Sequence, residues 1–318
     1  MFVYSIIIPH RNIPKLLQRC LDSIPQRPDL EIIVVDDNSD PEIVDFEHFP
    51  GQVRSDTTVI FDKSGLGPGH ARNIGLEHAQ GKWLFFADAD DYFNYCLNDI
   101  LDEYADCKVD IVYFKCSSAD SELYTNSDRA DYHNHSVQQY LDKSDQGELF
   151  LRYVNGGPVS KLIRRSIVVE HKLSFQEIRI HEDTKFFYLL GLYAKSIAAD
   201  KRAIYCITKR PDSISYTMTP EKILDRAMVF AEREVFYHNN NLPFRELELC
   251  FDDLIMLLEN RNRQLYDKCL DVFASFGFSN EYIEKNIAEE LKRRKTFSRK
   301  RCIVRYLRKF EKLLGKVL

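Results

Sequence analysis

Three carboxylates, Asp88, Asp90 and Asp91, follow directly on the apolar run Trp83-Leu84-Phe85-Phe86-Ala87. A run of that length and aromatic content reads as a strand buried on both faces. Acids crowded so closely repel one another, and the chemistry that suits them is to hold a hard divalent cation through oxygen. The carboxyl edge of a parallel sheet is also where α/β proteins bind ligands, so the pattern points to a metal site for a phosphorylated substrate. The competing reading is helix capping, because Asp is a common N-cap.

The surrounding elements favour the first reading. Ser5-Ile6-Ile7-Ile8-Pro9 is a short buried strand, and Ile13, Leu16, Leu17, Cys20, Leu21 and Ile24 then recur at helical spacing, with Pro14 in the first turn and Pro25 at the end. A second strand, Ile32-Ile33-Val34-Val35, runs into Asp36-Asp37-Asn38-Ser39, and a third, residues 57–61, leads to the glycine-rich Gly65-Leu66-Gly67-Pro68-Gly69. A helix around Ala71-Arg72-Asn73-Ile74-Gly75-Leu76 precedes the strand at 83–87. That order implies an α/β fold with a doubly wound, mainly parallel sheet flanked by helices. Two strands then end in acids on one edge, which is a stronger signal than one.

Several motifs, taken in order, resemble family 2 glycosyltransferases with the GT-A fold. They are Ser5-Ile6-Ile7-Ile8-Pro9, Val34-Val35-Asp36-Asp37-Asn38-Ser39, Gly69-His70-Ala71-Arg72-Asn73-Ile74-Gly75 and Phe86-Ala87-Asp88-Ala89-Asp90-Asp91. Lys161-Leu162-Ile163-Arg164-Arg165-Ser166, His181-Glu182-Asp183 and Arg210-Pro211-Asp212-Ser213-Ile214-Ser215 extend the match, which covers residues 3–215. The resemblance implies a catalytic domain at 1–215, and the residues beyond it read as a helical appendage at 216–290 and a basic amphipathic helix at 291–318.

It further implies an inverting, metal-dependent transfer of a sugar from a nucleotide-diphospho-sugar, a UDP-sugar in the first instance, to a hydroxyl of a glycan or lipid-linked glycan. Asp90 matches the direct ligand of Mn2+ or Mg2+, and Asp88 faces the ribose or the metal's water shell. Asp91 orients the loop or holds a water. Asp37 matches the acid that accepts from a uracil-type ring. Pro9 and Arg11 lie beside it, Arg11 standing where the family more often has Tyr. Arg72 with Asn73 matches a pair near the sugar and diphosphate, or else ties helix to sheet. Asp183 matches the general base, with His181 and Glu182 as secondary candidates and helix capping as its bland alternative. Arg210 and residues 213–215 match a loop over the diphosphate. The rival functions are a nucleotidyltransferase with a related metal site and an inactive glycosyltransferase-like scaffold.

Composition fits a globular enzyme, with 44% hydrophobic and 29% charged residues. The eight cysteines contain no C-x-x-C pair and fall largely in apolar runs, so they read as buried thiols of a reducing compartment rather than zinc ligands. No secretory leader precedes the first strand, and the apolar window at 186–194 is too short to span a bilayer, so the expectation is a cytoplasmic protein. Residues 291–318 carry twelve Lys or Arg against Glu311, a net +11, so the whole-chain −5 leaves −16 on residues 1–290. Ile303, Leu307, Phe310, Leu314 and Val317 share one face there, the pattern of a helix lying on an anionic membrane surface at the inner face of the cell membrane, or packing on the protein itself. The acidic body and the lack of a recognition motif argue against nucleic acid. Residues 219–290 read as helices, with breaks at Asn239-Asn240-Asn241. Residues 117–146 are polar and aperiodic and read as a loop or insertion.

Overall fold

A computed structural model describes residues 2–210, 219–244 and 250–292. The chain divides into two compact units, Met1–Thr217 and Met218–Leu318. In chain order the first unit contains β1 (Tyr4–His10), α1 (Pro14–Asp22), β2 (Leu30–Asp37), β3 (Thr57–Asp62), α2 (Pro68–His78), β4 (Trp83–Phe86), β5 (Tyr92–Phe93) and α3 (Leu97–Tyr104). It continues with β6 (Ile111–Asp120), α4 (Asp131–Leu141), α5 (Gly147–Leu149), a π-helical turn (Phe150–Val154), β7 (Lys161–Arg164), α6 (Arg165–Glu170), α7 (Thr184–Tyr193) and β8 (Ile197–Lys209).

The eight strands among the described residues join one sheet in the order β3-β2-β1-β4-β7-β6-β8-β5. The first four are mutually parallel, β7 runs antiparallel to β4 and β6, and β6 and β8 are parallel. The mainly parallel, doubly wound α/β reading therefore holds, with an antiparallel insertion at β7. Alternation along the strands divides the core. Ile6, Ile8, Val34 and Phe85 pack with Leu17 and Leu21 of α1 and Ile100 of α3. Ile7, Ile33, Val35 and Phe86 pack with Ala71 of α2 and with Phe186, Phe187 and Leu190 of α7. Covered faces on both sides explain why these strands read as unbroken apolar runs. Helix α2 lies so close to β1 that a Cβ on Gly75 would stand 2.4 Å from Cγ2 of Ile7.

Because β1 pairs in parallel with both β2 and β4, the acids after β2 and β4 share one edge with β1 between them. The antiparallel β7 brings its first residue, Lys161, to the same edge.

The 117–146 region is not the open loop expected. Its first residues complete β6, and 131–141 form α4. Pairing between β6 and β7 stops at Tyr113, leaving later backbone groups of β6 without strand partners on that side. Polar side chains from α4 take their place: His133 Nε2 lies 2.7 Å from the Phe114 carbonyl, and the Asn134 amide bonds both the N–H and the carbonyl of Cys116 at 2.8 Å. A helix whose inward face works by hydrogen bonding shows no apolar period.

The second unit contains α8 (Pro220–Asn239), α9 (Phe251–Glu259) and α10 (Arg263–Ser275). Thr219 caps α8, its hydroxyl accepting from the Lys222 N–H. The first part of the expected helix at 246–259 and the basic tail from 293 onward lie outside the described residues. Among the described residues no helix is long and apolar enough to cross a membrane. The seven described cysteines are all free thiols.

Candidate active site

The end of β2 separates two adjacent acids by function. Asp36 is fully buried and built into the turn. His10 Nδ1 lies 2.8 Å from its Oδ2, and Ser39 contributes its N–H at 3.0 Å and its hydroxyl at 2.5 Å. Burial alone would raise the Asp36 pKa, yet the bonds from His10 and Ser39 outweigh it and hold the carboxyl below the usual range. The Ile13 N–H donates to His10 Nε2, which fixes the tautomer with the proton on Nδ1. Asp37, next along the strand, points to the opposite side. Its carboxylate accepts from the Gly67 N–H at 3.1–3.2 Å and lies 3.6 Å from Arg11 Nη1. The Arg11 side chain is half exposed, and Pro9 sits half-buried in register with Val35, so Pro9, Arg11 and Asp37 gather at the mouth of β1 and β2.

The loop after β4 divides its three acids in the same way. Asp91 is buried; its Oδ1 accepts from the Thr208 N–H at 2.7 Å and so ties the loop to β8. Burial, with Asp90 and Asp88 nearby, drives its pKa well above the carboxylate range. That places Asp91 among the groups that orient the loop. Asp88 and Asp90 are partly exposed and each meets a guanidinium: Arg72 Nη2 is 2.7 Å from Asp88 Oδ1, and Arg210 Nε is 2.6 Å from Asp90 Oδ2. The backbone is held as well. The Asp88 N–H donates to the Tyr205 hydroxyl at 2.8 Å, and the Asp90 carbonyl accepts from Thr208 Oγ1 and from Arg19.

Arg72 joins this loop to the other side of the crevice, donating at 2.7 Å to Glu182 Oε1 while holding Asp88. Asn73 faces elsewhere and exchanges two hydrogen bonds with the Phe175 backbone at 2.8 and 3.0 Å. Sequence grouped Arg72 and Asn73 as one pair; the structure gives the first to the acids and the second to bracing. Gly69 completes the brace, because a Cβ there would stand 2.2 Å from the Gln176 carbonyl. His181 takes a left-handed backbone (φ 58°), and the two acids follow it. Asp183 occupies the N-cap position of α7 but makes no side-chain capping bond there, so the capping alternative does not apply. Burial and the neighbouring Glu182 charge push its pKa up to about 7, against the pull of Arg72 and Lys161. A carboxyl near 7 is suited to proton exchange at neutral pH.

The candidates thus assemble into a group at the ends of β1 and β2 (Pro9, Arg11, Asp37), a carboxylate pair after β4 (Asp88, Asp90) and a group leading into α7 (His181, Glu182, Asp183). Arg72 and Arg210 each contact a member of the carboxylate pair. Sequence reasoning did not single out Arg19, Tyr205 or Thr208, which hold the acidic loop from behind, nor did it give Lys161 a role. Nothing local distinguishes Tyr205 and Thr208 from other residues of β8. Among the described residues no cluster of three or more potential ligands stands ready for a metal. Asp88 and Asp90 nonetheless offer oxygen alone, and Mg2+ or Mn2+ is commonly held by one or two carboxylates with substrate phosphates and water completing the shell. These two residues would hold it.

The profile described as glycosyl transferase family 2 matches residues 5–171. EpsH of Bacillus subtilis, named as a glycosyltransferase, is 25% identical over 260 residues, 80% of this chain and 74% of its own. The poly(ribitol-phosphate) β-N-acetylglucosaminyltransferase TarS of Staphylococcus aureus is 26% identical over 222 residues, 66% of this chain but 36% of TarS, so the match spans about a third of that relative. Among solved structures, S. aureus TarS 1-349 in complex with UDP-GlcNAc superposes with a TM-score of 0.60 at 19% identity, covering 87% of this chain and 81% of that one. A Pyrobaculum calidifontis mannosyltransferase in complex with GDP-Man and Mn2+ reaches 0.50 at 16% identity, covering 93% and 80%. These likenesses establish the fold.

Proposed function

Since the chain belongs to glycosyl transferase family 2 and so transfers sugar from a nucleotide-sugar donor, we propose that it is a metal-dependent, inverting enzyme using a UDP-sugar, with Asp183 as general base. The acceptor is a hydroxyl of a glycan or lipid-linked glycan. One observation carries this reading: Arg72 spans Asp88 and Glu182, so a single buried guanidinium ties the carboxylate pair to the turn that presents Asp183.

Asp37 and Arg11 receive the base, Asp37 accepting from a ring N–H and Arg11 lying against the ring plane. Asp88 and Asp90 would hold a divalent cation, which would supply positive charge to offset that growing on the departing diphosphate. Arg72 and Arg210 add positive charge along the same path. Asp183 takes the proton from the acceptor hydroxyl as its oxygen attacks the anomeric carbon opposite the leaving group. A single displacement of that kind inverts the centre. Only ionised Asp183 can accept a proton, so turnover rises with pH through about 7.

The test pairs ligand binding with one substitution. UDP with Mn2+ should raise the melting temperature clearly more than UDP with a chelator. Asp183→Asn should keep that shift while lowering turnover about 100-fold or more. Equal shifts with and without metal would refute the metal role, and near-parental turnover by Asp183→Asn would refute the base.

A further inference from the structure

Lys161 opens β7 at the carboxyl edge of the sheet and is fully buried. Its ammonium donates to the Asn155 side-chain oxygen at 3.2 Å and to the Gly157 carbonyl, and it lies over the rings of Phe187 (4.7 Å) and Tyr113 (5.5 Å). All of these partners are neutral. An ammonium kept from water among neutral groups is costly and calls for a charge to answer it. Phe187 lies one helical turn beyond Asp183, and residues four apart share a helix face. The ammonium therefore sits beneath the face of α7 that carries Asp183. Residue 160 adds to the picture: Ser160 adopts a left-handed backbone (φ 59°), pinned by its hydroxyl to the carbonyls of Phe114 and Lys115 at 3.2 and 3.1 Å. Strained backbone of this kind persists where the surroundings demand one placement of the next side chain.

We propose that Lys161 is the positioning residue of the acceptor base, a buried cation beneath α7 that favours the ionised form of the Asp183 carboxylate. The proposal rests on the reading of Asp183 as base. Asp183 is faced by Glu182 on its own turn, by Arg72 from α2 and by Lys161 from β7. Lys161 is faced by Asp183 and by the Cys116 thiol of β6, which burial pushes up to about 12 and so keeps neutral. His133 of α4 is also neutral, since burial and then the Lys161 charge bring it down to about 4. Burial brings Lys161 itself down to about 7, with Asp183 pulling the other way. Each member of the pair thus favours the charged form of the other.

The experiment is a 13C titration of the Asp183 carboxyl in selectively labelled full-length protein, assigned by loss of the signal in Asp183→Asn. In Lys161→Gln, which retains N–H donors for Asn155 and Gly157 but no charge, the midpoint should move up by about one pH unit or more. Lys161→Arg should leave it near the parental value. An unchanged midpoint in Lys161→Gln overturns the proposal. If Lys161→Gln does not fold, the parent decides: mutual coupling requires a second inflection of the Asp183 signal as Lys161 loses its proton, and a single inflection overturns it. The acid limb of turnover should follow the NMR midpoint. A limb that stays put while the midpoint moves would refute Asp183 as base and leave the Lys161–Asp183 coupling standing.

Discussion

Arg210 Nε lies 2.6 Å from Oδ2 of Asp90, with each side chain about one-fifth exposed. The carboxylate assigned to the metal is therefore shared with a guanidinium from the end of β8. A cation held by Asp90 would compete with this guanidinium, and its binding would free Arg210 for the diphosphate. Arg210→Ala should accordingly tighten Mn2+ binding to the donor-free protein by about fivefold, the scale of a partly screened ion pair of about 1 kcal/mol. The same change should lower turnover. Calorimetric titration with Mn2+ checks the first effect, and weaker binding would refute the competition.

The Asp36 network gives a stability prediction. Its folded pKa is depressed, so its contribution is complete above the ordinary carboxylate value of about 4 and is lost as pH falls through the lower folded value. His10→Ala removes a fully buried donor and should cost about 2 kcal/mol at neutral pH. Asp36→Asn should flatten the acid side of the melting-temperature profile. A parental slope between pH 5 and 3, about the range in which carboxylates titrate, would contradict this.

Gly69 tests the brace between α2 and the segment leading to Asp183. Gly69→Ala places a methyl 2.2 Å from the Gln176 carbonyl, and backbone must move to admit it. A stability loss of about 1–3 kcal/mol is expected, the usual cost of overpacking. Turnover should fall further than the loss of folded protein explains, because Glu182 and Asp183 move with the segment. Parental specific activity at full folding would show the brace to be dispensable.

The basic tail makes a vesicle-binding prediction. The intact chain should sediment with anionic vesicles far more than with neutral ones, each engaged Lys or Arg contributing up to about 1 kcal/mol. Removing the residues after Lys295 should abolish this and spare nucleotide-sugar hydrolysis. Loss of solubility on truncation would instead show the apolar stripe packing on the protein.

Much of this was legible in sequence because it is written in short-range patterns. The parallel strands announce themselves as apolar runs, and the acids at their ends follow within a few residues. What sequence left open was the division of labour inside each acidic cluster. Asp36 and Asp37 are adjacent, identical and both buried, yet one bonds His10 and Ser39 while the other accepts from Gly67 and lies near Arg11. Strand alternation separates them only once the register is known. Asp91 differs from Asp90 in that its side-chain carboxylate accepts from the backbone N–H of Thr208, 117 residues away. Helix α4 was missed because its inward face bonds β6 through His133 and Asn134 instead of burying apolar side chains. Lys161 stood in a recognisable motif, but a lysine in a strand carries no sign of its burial until neighbouring strands enclose it.

The topology also divides the catalytic unit for engineering. Arg72, Asn73 and Gly69 fasten α2 to the 175–182 segment directly, without passing through β6, α4 or the turns between them. The stretch between β5 and β7 lies outside that clasp, although β6 joins it to the sheet by pairing with β8 from Ile111 to Asp120 and Asn94 donates to the Ala203 and Ile204 carbonyls. Chimeras joined after Phe93 and before Ser160 would exchange it between relatives while leaving both halves of the clasp to one parent. Junctions placed between α2 and α7 at Phe175 would split that clasp across two lineages and recombine poorly.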